Sequence, residues 1–250
     1  MIAQGQPPRF ECPCLENYYC ARAHDHGMSL DYAALSDKLT SVLALKGSPV
    51  AVKLIRTESG IPEGLNHTNE VLRHCEMVQK ARGGSKFYAT VEQHACKGGA
   101  GMLGIIEIPE NIKSGEFYYK LGRFSSVEHA AETMQAIPGV DFKTYATAYA
   151  PLGETPFEPD VVVVVVNPRQ AMMIAQANVY ELHSRNTADF SGIQSLCGDA
   201  VAAPLMRDSI NFTLGCSGSR KYAKVSEEEL IVGIPMTILP KLADALQKLA

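Results

Sequence analysis

Short apolar runs alternate along the chain with segments in which apolar residues recur every three or four positions. The recurrence over 32–43 predicts a helix that Ser29 can cap. The same spacing predicts helices over 68–81, with Cys75 near the middle, and over 127–134 and 242–249. Runs rich in β-branched and aromatic residues predict strands over 49–55, 86–91, 145–150, 211–214 and 229–234.

The most apolar run is the six valines of Val161–Val166. A continuous β-branched run predicts a central strand that is covered on both faces. Asn167 follows as a helix cap, and Pro168 takes the first helical position, where proline is favoured. This strand-to-helix unit indicates an α/β fold, with a mixed, partly parallel sheet flanked by helices.

Residues 1–28 do not continue this pattern. They combine three prolines, three cysteines and two histidines, so we interpret them as an irregular N-terminal extension. Residues 29–250 are interpreted as a single α/β domain, because no low-complexity linker divides them.

Composition narrows the class of protein. Apolar residues make up 46% and charged residues 20%, as in ordinary globular proteins. The net charge of -4, without a basic tail, gives no electrostatic footprint for nucleic acid. Neither a secretory signal nor an apolar stretch of membrane-spanning length is present in the sequence. We therefore expect a cytoplasmic protein that binds neither nucleic acid nor membrane.

The sequence contains seven cysteines, an odd number that does not favour a disulfide framework. In a reducing compartment, thiols in such number favour metal or redox chemistry. Any one of them taken alone is more often a small buried hydrophobe, so the hypothesis depends on their joint placement. Cys96, Cys197 and Cys216 each stand beside glycine after a strand-like segment. Such turns provide backbone amides for thiolates and for cluster sulfurs.

A fourth cysteine, Cys75, completes two similar pairs. Twenty-one positions separate Cys75 from Cys96, and nineteen separate Cys197 from Cys216. This similarity predicts two related halves that bring the four thiols together. Four thiolates suit a [4Fe-4S] cluster, and they also suit a structural zinc ion.

Several segments resemble one known family. They are Pro49-Val-Ala-Val-Lys-Leu, Cys75-Glu-Met-Val-Gln-Lys-Ala-Arg-Gly-Gly, Ala95-Cys-Lys-Gly-Gly, Ala150-Pro-Leu, Asp160-Val-Val, Asn167-Pro and Leu214-Gly-Cys-Ser-Gly-Ser-Arg. Together they resemble the archaeal and bacterial family called domain of unknown function 169. The resemblance implies that the four cysteines act together, and it suggests an anaerobic prokaryote. It brings no reaction, and it does not extend to the first 27 residues.

The N-terminal extension carries Cys12, Cys14 and Cys20, with His24 and His26 close behind. Three thiolates with an imidazole would satisfy zinc, and three thiolates with an outside ligand could hold a second iron–sulfur cluster. An extension that binds no metal is the equal alternative, because no established ligand spacing matches.

Two further residues are candidates for cofactor binding. Arg220 follows Cys216 in a turn that could hold a phosphate or carboxylate, or it could pair with nearby glutamates. His94 could be a proton donor or ligand beside Cys96, or a hydrogen-bonded structural residue. Gly99 to Gly104 fits G-x-G-x-x-G, but the segment after it lacks the helix of a dinucleotide site, so tight packing is the favoured explanation.

The leading hypothesis is an iron–sulfur protein in electron transfer or redox catalysis, with a redox partner protein or a small anionic ligand. The alternatives are a zinc-stabilised or thiol-rich module that binds a small anion, and an enzyme with a cysteine nucleophile. Homo-oligomerisation, the reaction and the question whether the chain is an enzyme all stay open.

Overall fold

A computed structural model describes residues 30–180 and 185–250. Seven strands of this part of the chain form one sheet in the order β2-β3-β4-β1-β5-β7-β6. The strands are β1 (Val50–Ile55), β2 (Asn66–His67), β3 (Phe87–Ala89), β4 (Ala146–Pro151), β5 (Val161–Val166), β6 (Asn211–Thr213) and β7 (Leu230–Pro235). The predicted strands are all present within a few residues.

The valine strand β5 lies at the centre of the sheet, and all six of its valines are buried. Both of its neighbours, β1 and β7, run antiparallel to it. The parallel pair is β2 with β3, at the edge of the sheet. The continuous apolar run therefore reflects cover on both faces rather than parallel pairing. The mixed, partly parallel α/β class is confirmed.

Ten α-helices of the described residues flank the sheet. They are α1 (Tyr32–Leu43), α2 (His74–Arg82), α3 (Lys97–Met102), α4 (Glu110–Lys113), α5 (Glu116–Lys120), α6 (Val127–Ala136), α7 (Pro168–Val179), α8 (Ala203–Arg207), α9 (Ser217–Lys221) and α10 (Leu239–Leu249). A π-helix (Ser195–Ala202) leads into α8, and 3₁₀ turns cover Glu58–Gly60, Val91–Gln93 and Leu152–Glu154.

Two hydrophobic cores lie on opposite faces of the sheet. On one face, α1, α7 and α10 pack against alternate strand residues such as Val162 and Val164. On the other, α2, α3 to α6 and the π-helix pack against the intervening residues, such as Val163 and Val165. The alternation follows from the two-residue repeat of strand side chains. All four cysteines of the described residues lie on the second face or at its edge.

The order of elements repeats. In the first half, central β1 leads to α2, then to outer β3, and returns through β4 beside β1. In the second half, central β5 leads to α7 and the π-helix, then to outer β6, and returns through β7 beside β5. Because β1 and β5 pair antiparallel, an approximate two-fold axis between them relates the halves. This repeat agrees with the two related halves expected from the cysteine spacing.

The prediction for α2 was wrong at its start. The helix begins at His74 rather than near residue 68, so Cys75 lies in the first turn and not in the middle. Before it, Asn66–His67 pairs with β3, and Leu72 forms an isolated bridge with His94, so the backbone is extended there.

Residues 32–250 form one compact unit. The predicted boundary at residue 28 lies outside the described residues, so the division into extension and domain stays a prediction. Among the described residues, no helix is both long enough and apolar enough to cross a bilayer.

Candidate functional site

A cavity of about 680 Å³ opens on the face of the sheet that carries α2 and the π-helix. Its wall includes the four cysteines of the described residues: Cys75, Cys96, Cys197 and Cys216. The equivalent elements of the two halves supply them. Cys75 and Cys197 lie in the helices that precede the outer strands, and Cys96 and Cys216 follow those strands.

Cys96 and Cys216 are the N-cap residues of α3 and α9. Each sulfur accepts a hydrogen bond from the backbone N–H three residues later, Gly99 for Cys96 and Ser219 for Cys216, both at 3.4 Å. A thiolate or a metal-bound sulfur gains from such amide donors. Cys216 follows β6 after two residues, as predicted, whereas six residues separate Cys96 from the end of β3.

Cys75 and Cys197 are deeper, each with 8% of its surface exposed. Cys197 is the third residue of the π-helix, whereas the sequence predicted that it follows a strand. The π-helix begins after Gln194, which adopts a left-handed conformation. The Cys197 thiol donates to the Gln194 side-chain oxygen at 3.0 Å, and the Gln194 amide donates to the Tyr118 hydroxyl. Short π segments are rare and often occur at functional sites.

The four sulfurs interact electrostatically. Burial, together with negative charge on Cys216 and Cys96, raises the pKa of the Cys75 thiol to about 12. Burial also raises the pKa of Cys197 well above its ordinary value, again with contributions from Cys96, Cys216 and Cys75. The two buried thiols, Cys75 and Cys197, therefore resist ionisation, and a bound cation would reverse this preference.

Gly99 separates two of the sulfurs. A β-carbon on this glycine would lie 3.6 Å from the sulfur of Cys96 and 3.6 Å from the sulfur of Cys197. Glycine at this position therefore keeps open the space beside both thiols. The Cys-Lys-Gly-Gly motif places the Cys96 thiol, the amide donor and this open space in one turn of helix.

The four thiols line the cavity without converging on a single point. Within the described ranges, no group of three or more His, Cys, Asp or Glu side chains is arranged to hold a metal ion.

His74, next in sequence to Cys75, also lies in the cavity wall. Its Nδ1 is 2.8 Å from the hydroxyl of Tyr149, and only 3% of the residue is exposed. Burial lowers the pKa of His74 to about 3, so the ring is neutral, whereas an interaction with the Leu196 backbone acts in the opposite direction. Its Nε2 forms no hydrogen bond of ordinary geometry among the described residues.

Arg220 and His94 are not part of the cavity wall. The Arg220 guanidinium donates to the backbone carbonyls of Leu214, Val225, Ser226 and Glu229, which brace the turn around Cys216. His94 is buried and bonds through Nε2 to Thr147, and burial lowers its pKa to about 4. These contacts give Arg220 and His94 structural roles. Cofactor binding by either residue stays a prediction.

Two of the glycines that fit G-x-G-x-x-G, Gly101 and Gly104, serve close packing. Gly101 and Gly104 fall at the end of α3 and in the turn after it, and the strand before them ends at Ala89. Gly104 has a φ of +72°, and a β-carbon there would lie 2.2 Å from the carbonyl oxygen of Phe142. No side chain fits at that distance, so the backbone contact alone requires glycine.

Cys12, Cys14 and Cys20 lie outside the described residues, together with His24 and His26. The predicted second metal site therefore stays a prediction.

The comparisons with known proteins agree with the resemblance in the sequence motifs. Residues 38–245 match the model of the DUF169 family, described as uncharacterised ArCR. The chain is 47% identical over 212 residues to the uncharacterised protein MJ0308 of Methanocaldococcus jannaschii, covering 84% of this chain and 91% of that protein. No solved structure matches. All four cavity cysteines fall within the matched residues, and the chain belongs to the DUF169 family.

Proposed function

We propose that the protein holds an iron–sulfur cluster of the [4Fe-4S] type on Cys75, Cys96, Cys197 and Cys216 and acts in electron transfer or redox catalysis. The observation that carries the proposal is that equivalent elements of two related halves place four thiols in the wall of one cavity. Tetranuclear clusters take four cysteine thiolates.

Two features of the cavity support a metal-bound group at these positions. Backbone amides already donate to two of the sulfurs, as they do around clusters. His74, whose Nε2 forms no hydrogen bond of ordinary geometry among the described residues, belongs to the same wall.

The residues of the chain would hold and tune such a group. The deep pair, Cys75 and Cys197, would shield one side of the cluster from water, and the half-buried pair, Cys96 and Cys216, would face the opening. A bound cluster supplies one-electron transfer, and its potential depends on amide hydrogen bonds and solvent exposure. A redox partner protein would therefore approach the open side of the cavity.

Anaerobic purification tests the proposal. We expect brown protein with broad absorption at about 400 nm that bleaches when dithionite is added. Colourless protein that contains stoichiometric zinc and unfolds with a chelator would replace the proposal with the zinc-stabilised module. Metal-free protein in which one cysteine alone is rapidly alkylated would indicate a thiol nucleophile instead.

A further inference from the structure

The cavity beside the cysteines has the size of a ligand pocket. Its volume of about 680 Å³ lies within the range of roughly 300–1,000 Å³ that small-molecule sites occupy. Apolar side chains form much of the remaining wall, among them Ile112, Phe117, Leu121 and Ile193. A metal centre on the four thiols would need only the part of this space that adjoins them.

The charged residues of the wall are all cationic. Arg73, Lys97, Arg123 and Lys221 line the cavity, and among the described residues no Asp or Glu does. The chain as a whole is acidic, with 27 acidic against 23 basic residues, so this bias is local. Four like charges around one opening repel each other unless an anion lies between them.

Three of these cations are available to a ligand. Arg73 is already engaged, since it pairs with Glu76 at 3.0 Å and its guanidinium stacks over Tyr222 at 3.5 Å. In the part of the chain that the structure describes, Lys97, Arg123 and Lys221 form no salt bridge with a carboxylate. The contact of Lys221 is with the ring of Tyr222, at 5.2 Å.

Depth separates the cations from the thiols. Lys97, Arg123 and Lys221 are exposed and therefore lie at the rim of the cavity, whereas Cys75 and Cys197 are buried. Apolar residues occur at both levels, because Ile112 and Ile193 are buried whereas Phe117 and Leu121 are exposed. A ligand that matches this order carries negative charge at one end and an apolar body at the other.

We propose that the cavity binds a small organic anion, a carboxylate or a phosphate ester with an apolar body. Lys97, Arg123 and Lys221 hold its charged group at the rim, and its apolar part extends toward the cysteines. This inference rests on the proposed function in one respect. If a metal centre lies at the cavity floor, the bound anion is its substrate. The binding itself depends on the rim and the apolar wall.

Calorimetric titration with benzoate and phenyl phosphate tests the proposal, with benzyl alcohol as the uncharged match. We expect one equivalent of at least one anion to bind, about tenfold or more tightly than benzyl alcohol. The preferred probe distinguishes a carboxylate site from a phosphate site. Added salt should weaken the binding, because the rim charges are exposed.

The matched variants carry three charge removals each. The rim variant, Lys97→Gln with Arg123→Gln and Lys221→Gln, should bind the anion about tenfold or more weakly. The control, Lys113→Gln with Lys143→Gln and Lys241→Gln, removes three exposed lysines outside the cavity wall and should bind as the unmodified protein does. Iron and sulfide are measured in every sample.

The outcomes separate the two proposals. Failure of both anions to bind, binding no tighter than benzyl alcohol, or equal binding by the rim variant would overturn the anion site. If the rim variant loses both its iron and its anion binding, the anion site is also overturned, because the cations would then serve the cluster. Selective anion binding to a protein without iron would overturn the cluster and keep the anion site.

Discussion

Cys96 and Cys216 are held in the same way in the two halves of the protein. Each is the N-cap residue of a short helix, and each sulfur accepts a backbone N–H three residues later at 3.4 Å. This equivalence extends to their partners, because Cys75 and Cys197 both lie in early turns of the helices that precede the outer strands. The cysteines are thus two copies of one pair, brought to the same cavity by the repeated topology.

Replacing either capping cysteine with serine separates folding from metal binding. Serine is a favoured N-cap, so Cys96→Ser and Cys216→Ser should unfold at the same urea concentration as the iron-free unmodified protein, or a higher one. Each should retain about a tenth or less of the bound iron, because a ligand is lost. Iron analysis beside a urea titration measures both effects. Retention of full iron by both variants would remove these residues from the site.

Gly99→Ala tests the space beside two sulfurs. Alanine favours helix over glycine by about 0.5–1 kcal/mol, so the variant should be at least as stable to urea as the unmodified protein when both are iron-free. Its methyl group would lie 3.6 Å from the sulfurs of Cys96 and Cys197, in the space that a cluster would use, so iron content should fall. The control is Gly83→Ala, whose β-carbon makes only ordinary contacts after α2. Unchanged iron in both variants would show that this space is not used.

The ion pair between Arg82 and Glu229 joins the end of α2 to the segment before β7. Their atoms are 2.7 Å apart, and the side chains are only 14% and 13% exposed. Glu229→Gln should lower the free energy of unfolding at pH 7 by about 2 kcal/mol, less than for a fully buried pair. The neighbouring exposed Glu228→Gln should change it by less than about 0.5 kcal/mol.

The ion pair between Arg82 and Glu229 also predicts how the free energy of unfolding depends on pH. Burial is the largest single effect and acts to raise the pKa of Glu229. The hydrogen bonds from Arg82 and the Ser226 backbone, with the charges of Arg82 and Lys46, together outweigh it and hold the pKa below its usual value. A carboxyl whose pKa is lower in the folded protein stabilises the fold at pH values above its unfolded-state pKa of about 4.3. This stabilisation is lost as the pH falls through the folded-state pKa. The difference between Glu229→Gln and the unmodified protein should therefore shrink below about pH 4. A constant difference from pH 7 to pH 3 would contradict this explanation.

A pair of glycine substitutions tests the packing explanation of the G-x-G-x-x-G segment. Gly104→Ala should destabilise the protein by about 3 kcal/mol or more, because its β-carbon would meet the Phe142 carbonyl oxygen at 2.2 Å. Gly122→Ala has a similar positive φ of +66° but open space around it, so about 1 kcal/mol is expected. Urea unfolding of the two variants compares them directly. Equal losses would show that backbone conformation alone requires Gly104.

Much of the fold was predictable because its signals are local. A few neighbouring residues are enough to predict several elements, among them β5 with its valines, α7 with its Asn167 cap and the amphipathic α10. The start of α2 was missed because its cap, Arg73, is not a residue type that favours that position. The signal that could have located it is Glu76, whose carboxylate accepts from the Arg73 backbone N–H at 2.9 Å.

The site was predictable only in part. Three of the thiols could be named from glycine-rich turns, and Cys75 from the similar spacing of the two pairs. The place of His74 in the cavity wall could not be predicted, because successive residues of a helix point to different faces. The π-helix around Cys197 has no sequence signature comparable to a helix cap. The cationic rim joins Lys97, Arg123 and Lys221 from separate segments, so only the tertiary structure brings them to one opening.

The most direct test of the four-cysteine site is the iron and acid-labile sulfide content of a variant with Cys12, Cys14 and Cys20 changed to serine, isolated without oxygen. This variant removes the N-terminal thiols and leaves the cavity intact. We predict about four irons and four sulfides per chain, as one tetranuclear cluster requires. Absence of iron and sulfide from this variant would contradict the proposal that the cavity cysteines hold the cluster.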